Sequence, residues 1–351
     1  MDNITIGMDL GDKNHVVCVL DISGNVMLNS TIDNSQDSIS KFFKKYKGAT
    51  VVIEAGTHSP WISRLLSELG SNVLVGNPRK LRAIWQSDNK TDIHDAEMLA
   101  RIARFDPHLL YPIQHKSLQA HKDMALLHAR EALVKTRSNL INHVRGSVKS
   151  LGERLPSCST ESFHKQAGAH MSDELQSTFQ SMLGLIEQIS LEIKTFDKQI
   201  EQMSKERYPE TQLLRAVKGV GPLTSLAFVL TLEEPERFKK SRQVGKFLGL
   251  TPRQDQSGET DKQLRITKAG SPFLRKLLVN ASQYILGPFG EDCNLRRFGL
   301  RLASRGGKNA KRRAVVAVAR KLSVLLHRLW RHGEIYNPLY KRDSQPLAKA
   351  A

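Results

Sequence analysis

The chain has 351 residues, with 53 Lys or Arg against 35 Asp or Glu and a net charge of +18, which sets the pI at ≈ 9.9. A hydrophobic share of 40% is material for folded cores and excludes wholesale disorder, while so large a basic excess implies a polyanionic partner, either nucleic acid or an acidic membrane surface. Membrane is the weaker fit: a spanning helix needs ~18 uncharged apolar residues, the run at 223–232 is too short, and the run at 314–329 is broken by Arg320, Lys321 and Arg328. Taken from its start, Met1-Asp2-Asn3 offers no basic or apolar leader, so no signal peptide is expected. Residues 4–10 are predicted as a strand ending in a Gly-bearing turn, and 15–20 and 25–32 as further strands joined by the turn at 21–24. A helix is predicted over 35–46, with Ile39, Phe42 and Phe43 on one face. A short buried strand over 50–53 follows, then a helix over 61–69 ending at Gly70 and a strand over 72–75. Helices over 79–86 and 93–105 complete the region, the second stopped before Pro107. This order, βββαβαβαα, predicts an α/β domain with a mixed sheet.

From about 116 to 155 the apolar spacing turns helical, through Leu126, Leu127, Leu133, Leu140, Ile141 and Val144. The polar, Gly- and Ser-bearing stretch 156–170 reads as a linker or mobile loop. A second long helix is predicted over 173–205, where Met182, Leu185, Ile186, Ile189, Ile193, Phe196, Ile200 and Met203 keep a heptad-like rhythm. The two helices suit an intramolecular hairpin or an oligomerising coil. Beyond about 208 the chain is predicted to be helical and basic, with no acid at all between Cys293 and Gly333. Cys18, Cys158 and Cys293 are odd in number and lack metal-like spacing, which predicts reduced thiols in a cytoplasm.

Four acids stand out by position. Asp9 ends the first strand, Glu54 ends a later one, and Asp92 and Asp95 lie in Lys90-Thr91-Asp92-Ile93-His94-Asp95-Ala96. An i, i+3 spacing puts two side chains on one helix face, so all four carboxylates can converge at one sheet edge. Like charges ~4 Å apart repel by roughly 4 kcal/mol at an effective dielectric near 20. Hard divalent cations relieve that repulsion, and all-oxygen ligands suit Mg²⁺ or Mn²⁺, not zinc. Two such ions ~4 Å apart serve phosphodiester chemistry. Each acid also has a plainer reading: a strand-end Asp is commonly a turn former, Asp92 suits an N-cap, and Asp12 is a rival to Asp9 that more simply caps a hairpin.

On these residues the sequence resembles the DEDD transposases of the insertion sequence 110 family. Gly7-Met8-Asp9, Ile53-Glu54-Ala55 and the segment 90–96 look like that family's acidic motifs, and 247–258 and 266–278 look like its second domain. The resemblance implies an RNase H-like, RuvC-type mixed-sheet core at 1–112. Long coiled-coil-like helices at 113–207 and an all-α basic domain at 208–351 would follow it. It implies Asp9, Glu54, Asp92 and Asp95 as catalytic, metal-binding acids, and Ser257 as a catalytic serine. It further implies DNA as substrate, a structured RNA guide and assembly as a dimer or tetramer. The expected location is a bacterial or archaeal cytoplasm, at the nucleoid.

Read from the residues alone, Ser257-Gly258 is ordinary turn chemistry, and its hydroxyl needs a base or metal to act. Lys218-Gly219-Val220-Gly221-Pro222 resembles a helix-hairpin-helix turn, whose Gly N–H groups approach phosphates, and equally a simple αα-turn. Arg253, Arg265, Lys268, Arg275, Lys276, Arg312 and Arg313 are candidate phosphate contacts, with Arg320 and Lys321 extending the surface. Three further functions compete. A hydrolytic junction nuclease needs the acids and no serine. A sugar kinase would use Met8–Asn14 as a phosphate loop but lacks a second Asp-Gly-Gly loop. A nucleic-acid-binding protein with degenerate catalysis would not need the intact acids.

Overall fold

A computed structural model describes residues 4–81, 91–258 and 260–339. The expected helix over 79–86 is seen as α3 (Pro78–Leu81), its remaining residues and Lys90 lying outside the described ones. The chain divides into two compact units, Met1–Lys116 and Ser117–Ala351.

In the first unit β1 (Thr5–Leu10), β2 (Asn14–Leu20) and β3 (Val26–Asp33) form an antiparallel meander. Helix α1 (Gln36–Phe43), whose N-cap Ser35 accepts from the Ser38 N–H, leads to β4 (Thr50–Glu54), which pairs parallel to β1. Helix α2 (Ser59–Glu68) then leads to β5 (Asn72–Gly76), parallel to β4. The sheet order is β3-β2-β1-β4-β5, the mixed sheet that the element order predicts, and it is compatible with an RNase H-like domain. The two-residue side-chain period divides its faces. Ile6, Met8, Val17, Val19, Val51 and Ile53 pack with Ile39, Phe43, Ile62 and Leu66 of α1 and α2. On the other face, Cys18, Leu20 and Val52 pack with Ala96, Leu99, Ala100 and Ala103 of α4 (Asp92–Phe105).

That second face is built on small residues. A Cβ on Gly7 would fall 1.8 Å from the Ala96 carbonyl oxygen and 2.7 Å from the Ala100 nitrogen. Only glycine lets β1 and α4 approach this closely, which is what a lone Gly inside a strand signals.

In the second unit α5 (Leu118–Ser150) and α7 (Asp173–Glu206) run antiparallel against each other. Arg207, Asp197 and Ser190 of the returning chain bond in turn to Asp123, Arg130 and Arg137. The two helices thus pair within the chain as a helical hairpin. The stretch expected to be a linker instead contains helix α6 (Phe163–His170). It is short and holds Gly168, so periodicity hides it, but Phe163 and Ala167 are buried against Ile141, Val144 and Leu183.

Helix α8 (Thr211–Arg215) precedes α9 (Pro222–Leu232), which is buried from Thr224 to Leu232 and forms the centre of this unit's main core. Around it lie α10 (Arg242–Phe247), α11 (Pro272–Leu286), α12 (Asn294–Ala303) and α13 (Ala310–His332). No helix among the described residues is long and apolar enough to cross a membrane. The all-α expectation for this region needs correction: β6 (Pro252–Ser257) and β7 (Thr260–Ile266) form an antiparallel hairpin. Residues 253–258 are exposed, so this ribbon has no apolar alternation to betray it and is held by its ladder and its turn.

Candidate active site

The parallel register pairs Gly7 with Val52 and Met8 with Ile53; the next step sets Asp9 beside Glu54 on strands about 4.8 Å apart. Because side chains alternate, Asp9 shares the face of Gly7 and Glu54 that of Val52, which is the α4 face. Both carboxylates are partly exposed at the C-terminal ends of their strands.

Helix α4 brings its two acids to the same end. Arg101 Nη1 donates to the Gly24 carbonyl at 3.3 Å, and Gly24 lies in the β2–β3 turn, at the end where β1 begins. The N-terminus of α4 therefore points to the end where β1 finishes. Ala96 sits on Gly7; Asp92 lies one turn, ~6 Å, further along the helix, and Asp9 two residues, ~6.6 Å, further along the strand. Asp92 and Asp9 thus both lie toward the end where β1 finishes. By helical spacing Asp92 and Asp95 continue the stripe of Ala96, Leu99 and Ala103 toward the N-terminus of α4, where Asp92 is exposed and Asp95 half-buried. Thr91 is the N-cap, its Oγ1 accepting from the His94 N–H at 3.2 Å, so the capping role open to Asp92 is filled by its neighbour. Among the described residues no three His, Cys, Asp or Glu side chains are gathered tightly enough to hold one ion. The fold sets Asp9 and Glu54 at the ends of neighbouring parallel strands and the α4 pair at the first turn of the helix on that face.

Asp12, the rival acid, is 93% exposed and pairs with His58 at 3.2 Å, while its carbonyl accepts from Asn34. His15 is buried on the opposite sheet face from Asp9 and bonds to Asn34 at 3.0 Å. Burial lowers its pKa against the raising effect of Asn34, which favours a neutral ring. Cys18, under α4, is raised to about 11 by burial and by nearby Glu97, against Arg101; it is an unreactive core thiol.

Ser257 is the last residue of β6, exposed, next to Gly258 at φ +56. A Cβ on Gly258 would meet nothing within 4 Å. The basic candidates divide. Arg253, Arg265, Lys268, Arg312 and Arg313 are exposed. Arg275 Nη1 donates to the carbonyls of Leu248 (3.0 Å) and Ala269 (2.7 Å), fastening the hairpin base to α11. Lys276 pairs with Glu131, and Lys218 with Glu291 at 3.3 Å. Gly219, at φ +90, packs on Tyr284 and Ala281, whereas Gly221 at the start of α9 has open space. Sequence reasoning passed over Gly7, whose position inside β1 was the available signal, and the Asp12–His58 pair, whose partners 46 residues apart carry no local signal.

Comparison with known proteins gives two family matches along the chain. A family model described as a transposase of the DEDD, IS110 type covers residues 6–152, and one described as the transposase IS116/IS110/IS902 family covers residues 211–289. The chain belongs to the IS110 family of transposases. Relatives include a transposase for insertion sequence element IS1111A from Coxiella burnetii, 26% identical over 94% of this chain and 90% of its own length. A probable family 20 transposase from Pseudomonas aeruginosa is 26% identical over 95% and 98%. A transposase for insertion sequence element IS1328 from Yersinia enterocolitica is 26% identical over 81% and 84%. As an insertion sequence transposase the protein acts on DNA, in keeping with its +18 charge.

Proposed function

We propose that this transposase cleaves and rejoins DNA strands with Asp9, Glu54, Asp92 and Asp95 as its metal-binding acids and Ser257 as its nucleophile. The observation that supports the reading is that Asp9 and Glu54 follow the last paired residues of two parallel strands, on the face covered by α4, whose first turn carries Asp92 and Asp95. An all-carboxylate donor set fits Mg²⁺ or Mn²⁺, so these residues would hold one or two such ions. Bound there, the ions supply activation of the attacking oxygen and charge stabilisation of the leaving oxygen.

The rest belongs to the chain's own residues. Ser257 Oγ forms a bond to the scissile phosphorus as the bridging P–O bond to the departing strand breaks. The serine proton is lost to solvent, and the departing oxygen gains one. The phosphoserine bond keeps the phosphodiester energy, so attack by a new strand end reverses the step without ATP. Arg253, Arg265, Lys268, Arg312 and Arg313 are exposed donors for phosphates; Gly221 would join them, as would Lys218 and Lys276 on exchanging their glutamate partners for phosphate. In this reading 1–112 is the catalytic core, the helices at 113–207 support assembly as a dimer or tetramer, and 208–351 engages DNA. A structured RNA guide follows from family resemblance.

The test is recombination by purified chain on DNA carrying the element ends. Asp9→Asn, Glu54→Gln and Ser257→Ala should each abolish it, and a protein–DNA adduct should form in the wild type and not in Ser257→Ala. Cleavage to free ends by Ser257→Ala would instead favour a hydrolytic junction nuclease that uses the acids alone.

A further inference from the structure

A cavity of about 1430 Å³ in the second unit is an open groove bounded by α10, the base of the β6–β7 hairpin, α12 and α13. Nine arginines and lysines line it, and none of its lining residues is Asp or Glu. Arg242, Arg265, Arg305, Arg312 and Arg313 are exposed on the lining. Its floor is apolar, with Phe298, Leu302, Ala317 and Val324 half-buried. Lys321 Nζ lies 3.8 Å from the Phe298 ring centroid.

The two halves of this lining ask for different things. Cationic side chains fit phosphates. A duplex keeps its bases stacked inside and presents chiefly phosphates and groove edges, so an apolar floor gains little from it. An unpaired strand satisfies both, laying bases on the apolar and aromatic surface while its backbone follows the arginines. Pro252, Leu264, Arg265 and Ile266 give one wall to the groove, and they are the base of the hairpin whose tip carries Ser257. The five residue steps from Pro252 to Ser257 span about 17 Å.

We propose that this groove holds a single DNA strand, the continuation of the strand whose phosphate Ser257 addresses. This rests on the reading of Ser257 as the nucleophile, and the identity of the strand as DNA follows from that continuity.

The test is fluorescence anisotropy of full-length protein with a labelled 20-nucleotide thymidine strand, a duplex of equal length, and a uridine RNA strand. Arg312→Ala with Arg313→Ala should lower the slope of log affinity against log salt for the single strand by roughly 1.4, about 0.7 for each phosphate no longer neutralised. Phe298→Ala should weaken the single strand at least about fivefold and leave the duplex within about twofold. Lys149→Ala with Lys165→Ala, an equal loss of charge on α5 and α6, should change neither, and circular dichroism melts establish that the variants are folded. Equal losses for strand and duplex, no loss at all, or tighter and equally sensitive binding of the RNA strand would each overturn the proposal. A missing covalent adduct would count against Ser257 alone, since strand binding is read without chemistry.

Discussion

Asp9 and Glu54 each follow the last paired residue, Met8 and Ile53, of two parallel strands, on the face that α4 covers. The relationship is set by backbone register, so it survives removal of either charge. Asp9→Asn and Glu54→Gln should therefore leave the melting profile cooperative while strand cleavage falls below about one hundredth of the wild-type rate, the scale for removing a preorganised transition-state interaction. Paired thermal melts and cleavage time courses check this; cleavage near the wild-type rate in either variant counts against the assignment.

Gly7 decides whether α4 reaches that edge at all. A methyl group at this position meets backbone atoms of Ala96 and Ala100, which cannot swing aside as a flexible side chain would. Gly7→Ala should cost at least about 3 kcal/mol, the upper end of ordinary overpacking, and reduce cleavage by displacing Asp92 and Asp95. Denaturant midpoints measure the first effect; Gly56→Ala, with open space around it, is the matched control.

Asp123 clasps the open end of the helical hairpin. It is buried and accepts from Arg207 Nη1 and Tyr208 OH at 2.6 Å and from Gln119 at 3.0 Å. Burial by itself raises its pKa, but the hydrogen bonds from Tyr208, Gln119 and Arg207 outweigh it, and the net shift is downward. A depressed folded-state pKa stabilises above the unfolded value of ~3.9, and the contribution is lost as pH falls through the folded value. Asp123→Asn should cost about 1–3 kcal/mol at pH 7, with the gap to wild type closing below pH ~4. Urea titrations at pH 7, 5 and 3 provide the check.

Cys18 reports on the seal between α4 and the sheet. Its burial and raised pKa of about 11 protect it from thiolate chemistry, whereas Cys158 is half-exposed. At pH 8 iodoacetamide should modify Cys158 first in the wild type, and Gly7→Ala should speed labelling of Cys18. Peptide mass spectrometry reads both sites.

The sheet of the first unit is legible in the sequence because its strands are buried and its helices amphipathic, so Ile6, Met8, Val17 and Val51 announce one face by alternation. Asp9 and Glu54 are legible as strand-end acids for the same reason. The β6–β7 hairpin is not, since its outward polar residues carry no periodic signal, and neither is α6, where burial rests on Phe163 and Ala167. The basic candidates separate only in three dimensions: Arg275 bonds to two backbone carbonyls, while Arg312 and Arg313 stand exposed in the acid-free groove.

The convergence of the four acids on a shared ion is tested most directly by loading the folded chain with Fe²⁺ in place of Mg²⁺ and triggering local backbone cleavage with ascorbate and peroxide. The result expected is cuts in three segments at once, around Asp9, Glu54 and Asp92–Asp95, suppressed by excess Mg²⁺ and lost in Asp9→Asn. Cuts confined to one segment, or scattered without competition by Mg²⁺, would contradict it.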